Sequence, residues 1–275
     1  MKKQTVGLQR NTIDKYYTNQ HTAQYCIDKL REVISCEKND LLIEPSAGNG
    51  SFINPIKTLG GDCLFYDLQP EHDEIKEQNY LDLNTDTLCK QYNHIHVIGN
   101  PPFGRQSSLA IKFIKKSCDF SNTVSFILPK SFKKESMQKH FPPLFHLMYE
   151  GDIPENSFIV NNSVYNVPCV FQIWGKKTTE RSMPPKLIPQ HYQFVKKNEA
   201  PDIAFRRVGV YAGKIYKQIE DKSEQSHYFL KFDKQLSEIG FAELNNIEFE
   251  SKNNTVGPRS ISKQELIQSY NSIHI

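Results

Sequence analysis

Long apolar runs are missing from this chain: no stretch of its 275 residues approaches the roughly 20 that a membrane-spanning helix needs. The lead-in MKKQTVGLQRNT has no apolar core either, so no secretory leader is expected there. The six cysteines (Cys26, Cys36, Cys63, Cys89, Cys118, Cys169) never form a C-x-x-C pair. That spacing argues against a zinc site or a disulfide framework, and for a reducing, intracellular compartment. His94 and His96 can share one face of a strand, but no third ligand stands nearby, so no metal is expected. The glycines never fall as G-x-G-x-x-G, which disfavours a pyrophosphate cofactor. Internal repeats and low-complexity tracts are also missing.

What is present is the composition of a soluble globular protein, 38% hydrophobic and 24% charged. The length allows one sizeable α/β domain plus a smaller appendage. Net charge is only +3, but it is unevenly spread. Residues 1–103 carry 10 Lys and Arg against 14 Asp and Glu, residues 104–200 carry 14 against 7, and residues 201–275 carry 10 against 10. A basic middle suits a polyanionic substrate, although lysines on solvated helix faces give the same count.

The positive excess begins just after Asn100-Pro101-Pro102-Phe103, which follows the apolar run 95–98. Each proline fixes φ and removes an N–H, so this corner can offer carbonyl oxygens with few competing donors. An Asn amide beside them can hold a planar amino group, and Phe103 can cover a flat ring. Taken alone, the four residues equally describe an ordinary Pro-rich turn.

Upstream, Asn19 or Thr22 can cap a helix through Ala23, Ile27, Leu30 and Ile34. The short run 40–43 then enters Glu44-Pro45-Ser46-Ala47-Gly48-Asn49-Gly50-Ser51-Phe52. A strand ending in an acid, a glycine loop and a following helix form a nucleoside-binding arrangement, because glycines admit close approach and the loop supplies free N–H groups. A second strand, 63–66, ends in Asp67, placed to accept from ribose hydroxyls. Residues 79–83 read as a third strand end, with Asp82 available to an adenine amino group. Strands follow at 94–98 and 123–128, and the last two are expected around 157–160 and 164–174.

This order resembles the class I S-adenosylmethionine-dependent methyltransferases, and more narrowly the N6-adenine methyltransferases whose methionine-contacting motif is N-terminal. Tyr16-Tyr17-Thr18 matches that first motif, Glu44 to Phe52 the cofactor loop, and Asn100 to Phe103 the catalytic tetrapeptide. The match covers roughly residues 14–176. It implies a Rossmann-like α/β domain with a mostly parallel seven-stranded sheet and an antiparallel last strand. It also implies S-adenosylmethionine as cofactor, contacted by Tyr17, Thr18, Glu44, Ser46, Ala47, Gly48, Asn49, Gly50, Phe52, Asp67, Asp82 and Asn100. Transfer to adenine N6 in nucleic acid, DNA before RNA, falls to Asn100, Pro101, Pro102 and Phe103. The first position is Asn rather than the family's frequent Asp, so dipoles rather than charge must serve. A related corner in enzymes that methylate protein glutamine amides keeps a second acceptor open. A noncatalytic nucleic-acid-binding subunit of the same fold is a third reading.

For the acceptor polymer the candidates are Arg105 and Lys130, the aromatic faces of Phe158 and Tyr165, and Arg206 with Arg207. The aromatics equally suit a core or edge role, and the arginines a surface ion-pairing role. The domain is expected over 1–177, a charged, Pro-rich linker over 178–200, and a small α+β region over 201–275, where Ser262 and Glu265 announce a capped helix.

Overall fold

The structure, a computed structural model, describes residues 16–273. The N-terminal lead-in, with Asp14 and Lys15 at the start of the matched region, lies outside the described residues. The chain divides into two compact units between Ser182 and Met183.

In the first unit, β1 (Tyr17–Thr18) leads into α1 (Gln20–Val33), whose N-cap is Asn19, its side chain accepting from the Thr22 N–H at 2.7 Å. There follow β2 (Leu41–Glu44), α2 (Ile53–Lys57), β3 (Asp62–Asp67), β4 (Ile75–Glu77), α3 (Asp86–Gln91), β5 (Ile95–Gly99), α4 (Ser108–Phe120) and β6 (Thr123–Pro129). The unit continues through α5 (Glu135–Gln138), β7 (Phe145–Asp152), β8 (Phe158–Val160), β9 (Ser163–Tyr165) and β10 (Cys169–Lys176). Seven strands form one sheet in the order β4-β3-β2-β5-β6-β10-β7. The first five are parallel to one another, and β10 enters antiparallel between β6 and β7. This is the mostly parallel seven-stranded sheet, with one antiparallel strand, that the resemblance implied. The central strands β2, β5 and β6 are buried along their whole length, as parallel strands covered on both faces must be. Their side chains, with Phe113, Ile114, Phe132, Phe141 and Trp174, make the core.

Three strand expectations are corrected. The third parallel strand is β4, and residues 80–82 form a 3-10 turn capped by the Asn79 side chain. The sixth sheet strand is β7, which was not expected. It is an edge strand, and a register shift against β10 between Ile173 and Trp174 adds one residue on its side at Met148. That bulge breaks the alternation by which an edge strand is recognised. Finally, β8 and β9 are not part of the large sheet. They form a hairpin with β1, turned through Asn161 and Asn162 at φ 49° and 58°, the two-residue turn that asparagine tolerates.

In the second unit, β11 (Tyr192–Val195), β12 (Ile203–Arg206), β13 (Ile215–Tyr216) and β14 (His227–Phe232) pair in the order β11-β14-β12-β13, followed by α6 (Glu238–Asn245) and α7 (Lys263–Asn271). Ser262 and Glu265 close a reciprocal capping box on α7. The unit has its own core around Phe205, Leu230, Leu244, Leu266 and Tyr270. The linker expected over 178–200 is therefore shorter. Its prolines are real, but Tyr192–Val195 bonds along β14 and belongs to this sheet.

Candidate active site

Five parallel strands present their carboxyl ends on one side of the first unit, the usual place for a ligand in such sheets. A cavity of about 670 Å³ opens there, a volume typical of small-molecule sites. Its walls come from the three stretches singled out in the sequence. Tyr17 and Thr18 contribute from β1, Glu44 to Asn49 with Phe52 from the loop after β2, and Asn100 to Arg105 from the corner after β5. Asp67, at the end of β3, completes the ring.

The loop after β2 is tied to its neighbours by its own backbone. The Gly48 N–H donates to Asp67 Oδ2 and the Gln69 N–H to Oδ1, both at 2.8 Å. The Ala47 N–H donates to the Tyr66 carbonyl at 2.8 Å, and Ser46 Oγ to the Asn100 carbonyl at 3.0 Å. Gly48 sits at φ +53°, and a Cβ there would stand 3.2 Å from the Tyr17 ring, so the absence of a side chain lets the loop lie against β1. Gly50 does not line the cavity. Its φ of +84° makes the turn into α2, where a Cβ would meet Ile53 at 2.8 Å.

Asn100 is held by its amino end. Nδ2 donates to the Tyr16 carbonyl at 3.2 Å and to Thr18 Oγ1 at 3.1 Å. A carbonyl can only accept, so the amide cannot be turned round. Oδ1 is left buried, without a hydrogen-bond partner among the described residues. Glu44 Oε2 is in the same condition, on a residue only 2% exposed. Burial pushes the Glu44 carboxyl well above the ordinary carboxylate range, and the negative charge of Asp67 adds to the effect. Buried acceptors without donors cost stability, and here both belong to residues that face a cavity. Tyr17, whose hydroxyl donates to Glu71, and Glu71 itself line the same space. Among the described lining residues Glu44, Asp67 and Glu71 stand with one cation, Arg105.

Other expected site residues stand elsewhere. Asp82 is outside the lining and exposed, and its carboxylate accepts from Asn79 Nδ2 at 2.6 Å. Asn79, Tyr80 and Leu81 line the cavity in its place. Phe158 is fully buried and cannot present a ring face to a base. Tyr165 is off the lining but packs on Tyr16 at 5.8 Å between ring centroids. Lys130 and Lys133 both approach Asp152, at 3.5 and 2.9 Å, so part of the positive excess after the corner is neutralised within the fold. Arg206 and Arg207 belong to the second unit. Arg206 Nε donates to the Val208 carbonyl and Arg207 Nη2 to that of Gln225. Tyr16, Leu68 and Gln69 were missed as wall residues. Tyr16 had a signal as the first residue of the Tyr-Tyr-Thr stretch, whereas Leu68 and Gln69 had only their position after Asp67.

His94 and His96 gather at the opposite strand ends, around Asp40, at 3.2 and 3.4 Å. Among the described residues no group of His, Cys, Asp and Glu is arranged to hold a metal ion. No helix among them is long and apolar enough to cross a membrane.

No family model and no curated protein matches the chain. Among solved structures it is similar to a proposed RNA methyltransferase of Pyrococcus horikoshii, at 16% identity and TM-score 0.44, over 62% of this chain and 93% of that one. It is also similar to a proposed class I S-adenosylmethionine-dependent methyltransferase of Listeria monocytogenes, at 13% identity and TM-score 0.47, over 64% and 65%. A third is the methyltransferase subunit of a type I restriction-modification system of Streptococcus thermophilus, at 15% identity and TM-score 0.44. There the match covers 60% of this chain and only 45% of that one. The fold assignment rests on the strand order itself.

Proposed function

We propose that the first unit binds S-adenosylmethionine and transfers its methyl group to a planar amino group, adenine N6 in nucleic acid, with DNA preferred over RNA. The observation that carries this reading is Asn100 Oδ1, a buried acceptor with no partner among the described residues, locked in direction by two hydrogen bonds on Nδ2. The residues present fit the cofactor. Gly48 and its loop face the cavity, Asp67 suits ribose hydroxyls, and the Glu44 oxygen that has no partner among the described residues suits a small cation.

When bound, S-adenosylmethionine supplies a methyl group activated by a sulfonium charge. The acceptor is the harder half of the problem, because an adenine amino lone pair is delocalised into its ring. Asn100 Oδ1 and the Pro101 carbonyl would accept from the amino N–H groups. This draws the lone pair back to nitrogen and stabilises the positive charge that builds there. Asn cannot take the proton, which leaves to solvent. Phe103 stacks on the ring and sets the approach.

Asn100→Ala is expected to abolish transfer and retain cofactor binding. Calorimetry with S-adenosylmethionine and mass spectrometry of nucleosides from incubated DNA and RNA read the two effects. Full activity in the variant overturns the assignment, and absence of cofactor binding in the wild type favours a noncatalytic protein. The same acceptor geometry would receive a glutamine amide, so labelled cofactor is offered to protein as well. Label on protein alone overturns the nucleic-acid reading.

A further inference from the structure

We propose that the turn Val210-Tyr211 in the second unit, with the cations around it, is a docking surface for duplex DNA. Val210 is 77% exposed and Tyr211 59%, whereas Phe205, Leu230, Leu244, Leu266 and Tyr270 of this unit are buried in its core. The turn that presents them is stiff. The Gly213 N–H donates to the Arg206 carbonyl at 2.8 Å, that of Ala212 to Gly209 at 3.0 Å, and that of Lys214 to Tyr211 at 3.1 Å. Gly209 and Gly213, at φ +101° and +102°, let the chain double back. An exposed apolar pair on a rigid turn loses little entropy when it inserts into a partner.

The two segments that build this face carry charge of one sign. The segment 206–214 contains Arg206, Arg207 and Lys214 and no acid. A second acid-free segment, 252–263, contains Lys252, Arg259 and Lys263. The two are brought side by side: the Gly209 N–H donates to the Arg259 carbonyl and that of Ile261 to Arg207, both at 2.9 Å, with a bridge between Val208 and Ser260. Among the described residues none of these six cations is in an ion pair. Glu265, the nearest acid in sequence to Lys263, is used inside the fold, accepting from the Ser262 N–H and Ser251 Oγ. Arg207 and Lys263 lie over the Tyr228 ring at 5.4 and 5.7 Å, and Lys214 lies over Tyr211 at 5.4 Å.

Clustered cations recognise phosphates, an exposed aromatic face stacks on a base, and an aliphatic neighbour can wedge a base step. Only a polyanion that also offers flat apolar faces uses all three. A B-form groove admits a protruding turn, whereas the deep, narrow major groove of an RNA duplex does not.

The test is fluorescence anisotropy of a labelled DNA duplex against the full chain over a range of salt. Tyr211→Ala is expected to weaken binding about tenfold and Tyr211→Trp to preserve it. Arg259→Ala should lower the slope of log affinity against log salt by about 1. Circular dichroism of each variant separates lost contact from lost fold. Equal affinity for wild type, Tyr211→Ala and Arg259→Ala overturns the proposal, as does tighter binding of an RNA duplex, capture of protein acceptors alone, or no binding by the wild type. The partner class rests on the nucleic-acid reading above, yet the two fail separately. Methyl transfer to DNA with unchanged anisotropy in the variants sinks the docking surface alone. Duplex binding that depends on Tyr211, without transfer, sinks the enzymatic reading alone.

Discussion

Glu44 shows how one residue can cost stability in the free protein and still be kept. Its carboxyl is buried at the end of β2, with one oxygen lacking a partner among the described residues, and burial holds its proton on well above the usual value of 4.5. Folding therefore takes up a proton over the interval between the unfolded and folded titrations. The stability that goes with this group is complete below about pH 4.5 and is lost as pH rises toward the folded value. Glu44→Gln is isosteric and cannot ionise. It is expected to raise the melting temperature of the ligand-free protein at about pH 8 and to leave it nearly unchanged at about pH 4. In calorimetry the same variant should bind S-adenosylmethionine about tenfold more weakly, because a cation loses its carboxylate. A melting temperature that falls at the higher pH would show that Glu44 is already ionised and paired without ligand.

At the scale of elements, the junction between the corner and α4 is the most constrained piece of backbone near the cavity. Gly104 adopts φ 68° and ψ −178°, a region open essentially to glycine alone. A Cβ there would stand 2.9 Å from Leu109 Cγ and 3.1 Å from the Leu109 nitrogen. Gln106 and Ser107 follow at φ 53° and 61°, and the Phe103 carbonyl accepts from the Leu109 and Ala110 N–H groups at 3.2 and 3.3 Å. The start of α4 is thereby fastened to the residue proposed to stack on the acceptor. Gly104→Ala is expected to cost about 1–3 kcal/mol in denaturant unfolding. It should also lower kcat more than it weakens cofactor binding, since Phe103 moves and the glycine cradle does not. Equal loss in both would place the damage in the whole cavity.

At the scale of the molecule, each unit holds its own core, and every described residue lining the cavity falls between Tyr16 and Phe113. Arg181 fastens the end of the first unit, donating to the carbonyls of Gln138, Phe141, Pro142 and Phe145 and lying 5.2 Å over the Trp174 ring. A chain ended after Ser182 keeps all of this. It is expected to unfold cooperatively and bind S-adenosylmethionine with the affinity of the full protein, and to lose most of its affinity for duplex DNA. Calorimetry and anisotropy on the shortened chain measure both, and undiminished duplex binding would place the polymer's grip in the first unit.

How much of this was legible depended on how local the signal was. The glycine loop, the acid after β3, the Asn-Pro-Pro-Phe corner and the capping box of α7 are written in consecutive residues whose backbone preferences act within a few positions, and the structure places each as a connected piece. Signals that depend on partners were misread. The bulged edge strand β7 carries no clean alternation, and the aromatic Phe158 lies in a strand whose partner is at Tyr17–Thr18, more than a hundred residues earlier. Lys130 looked free because Asp152 comes close only through the fold.

The sequence by itself determined the three stretches that meet at the strands' carboxyl ends, because turn chemistry and spacing are short-range properties, and the fold class followed from the resemblance those stretches carry. Only the tertiary structure decided what those stretches offer a ligand. Asn100 became a directed acceptor because Tyr16 and Thr18, some eighty residues away, occupy its amino group. Asp82 gave way to Asn79, Tyr80 and Leu81 because residues 80–82 form a 3-10 turn in which the carboxylate is tied to the Asn79 amide and stands outside the lining. A hydrogen-bond partner that is missing, or already taken, can be seen only when the whole chain is in place.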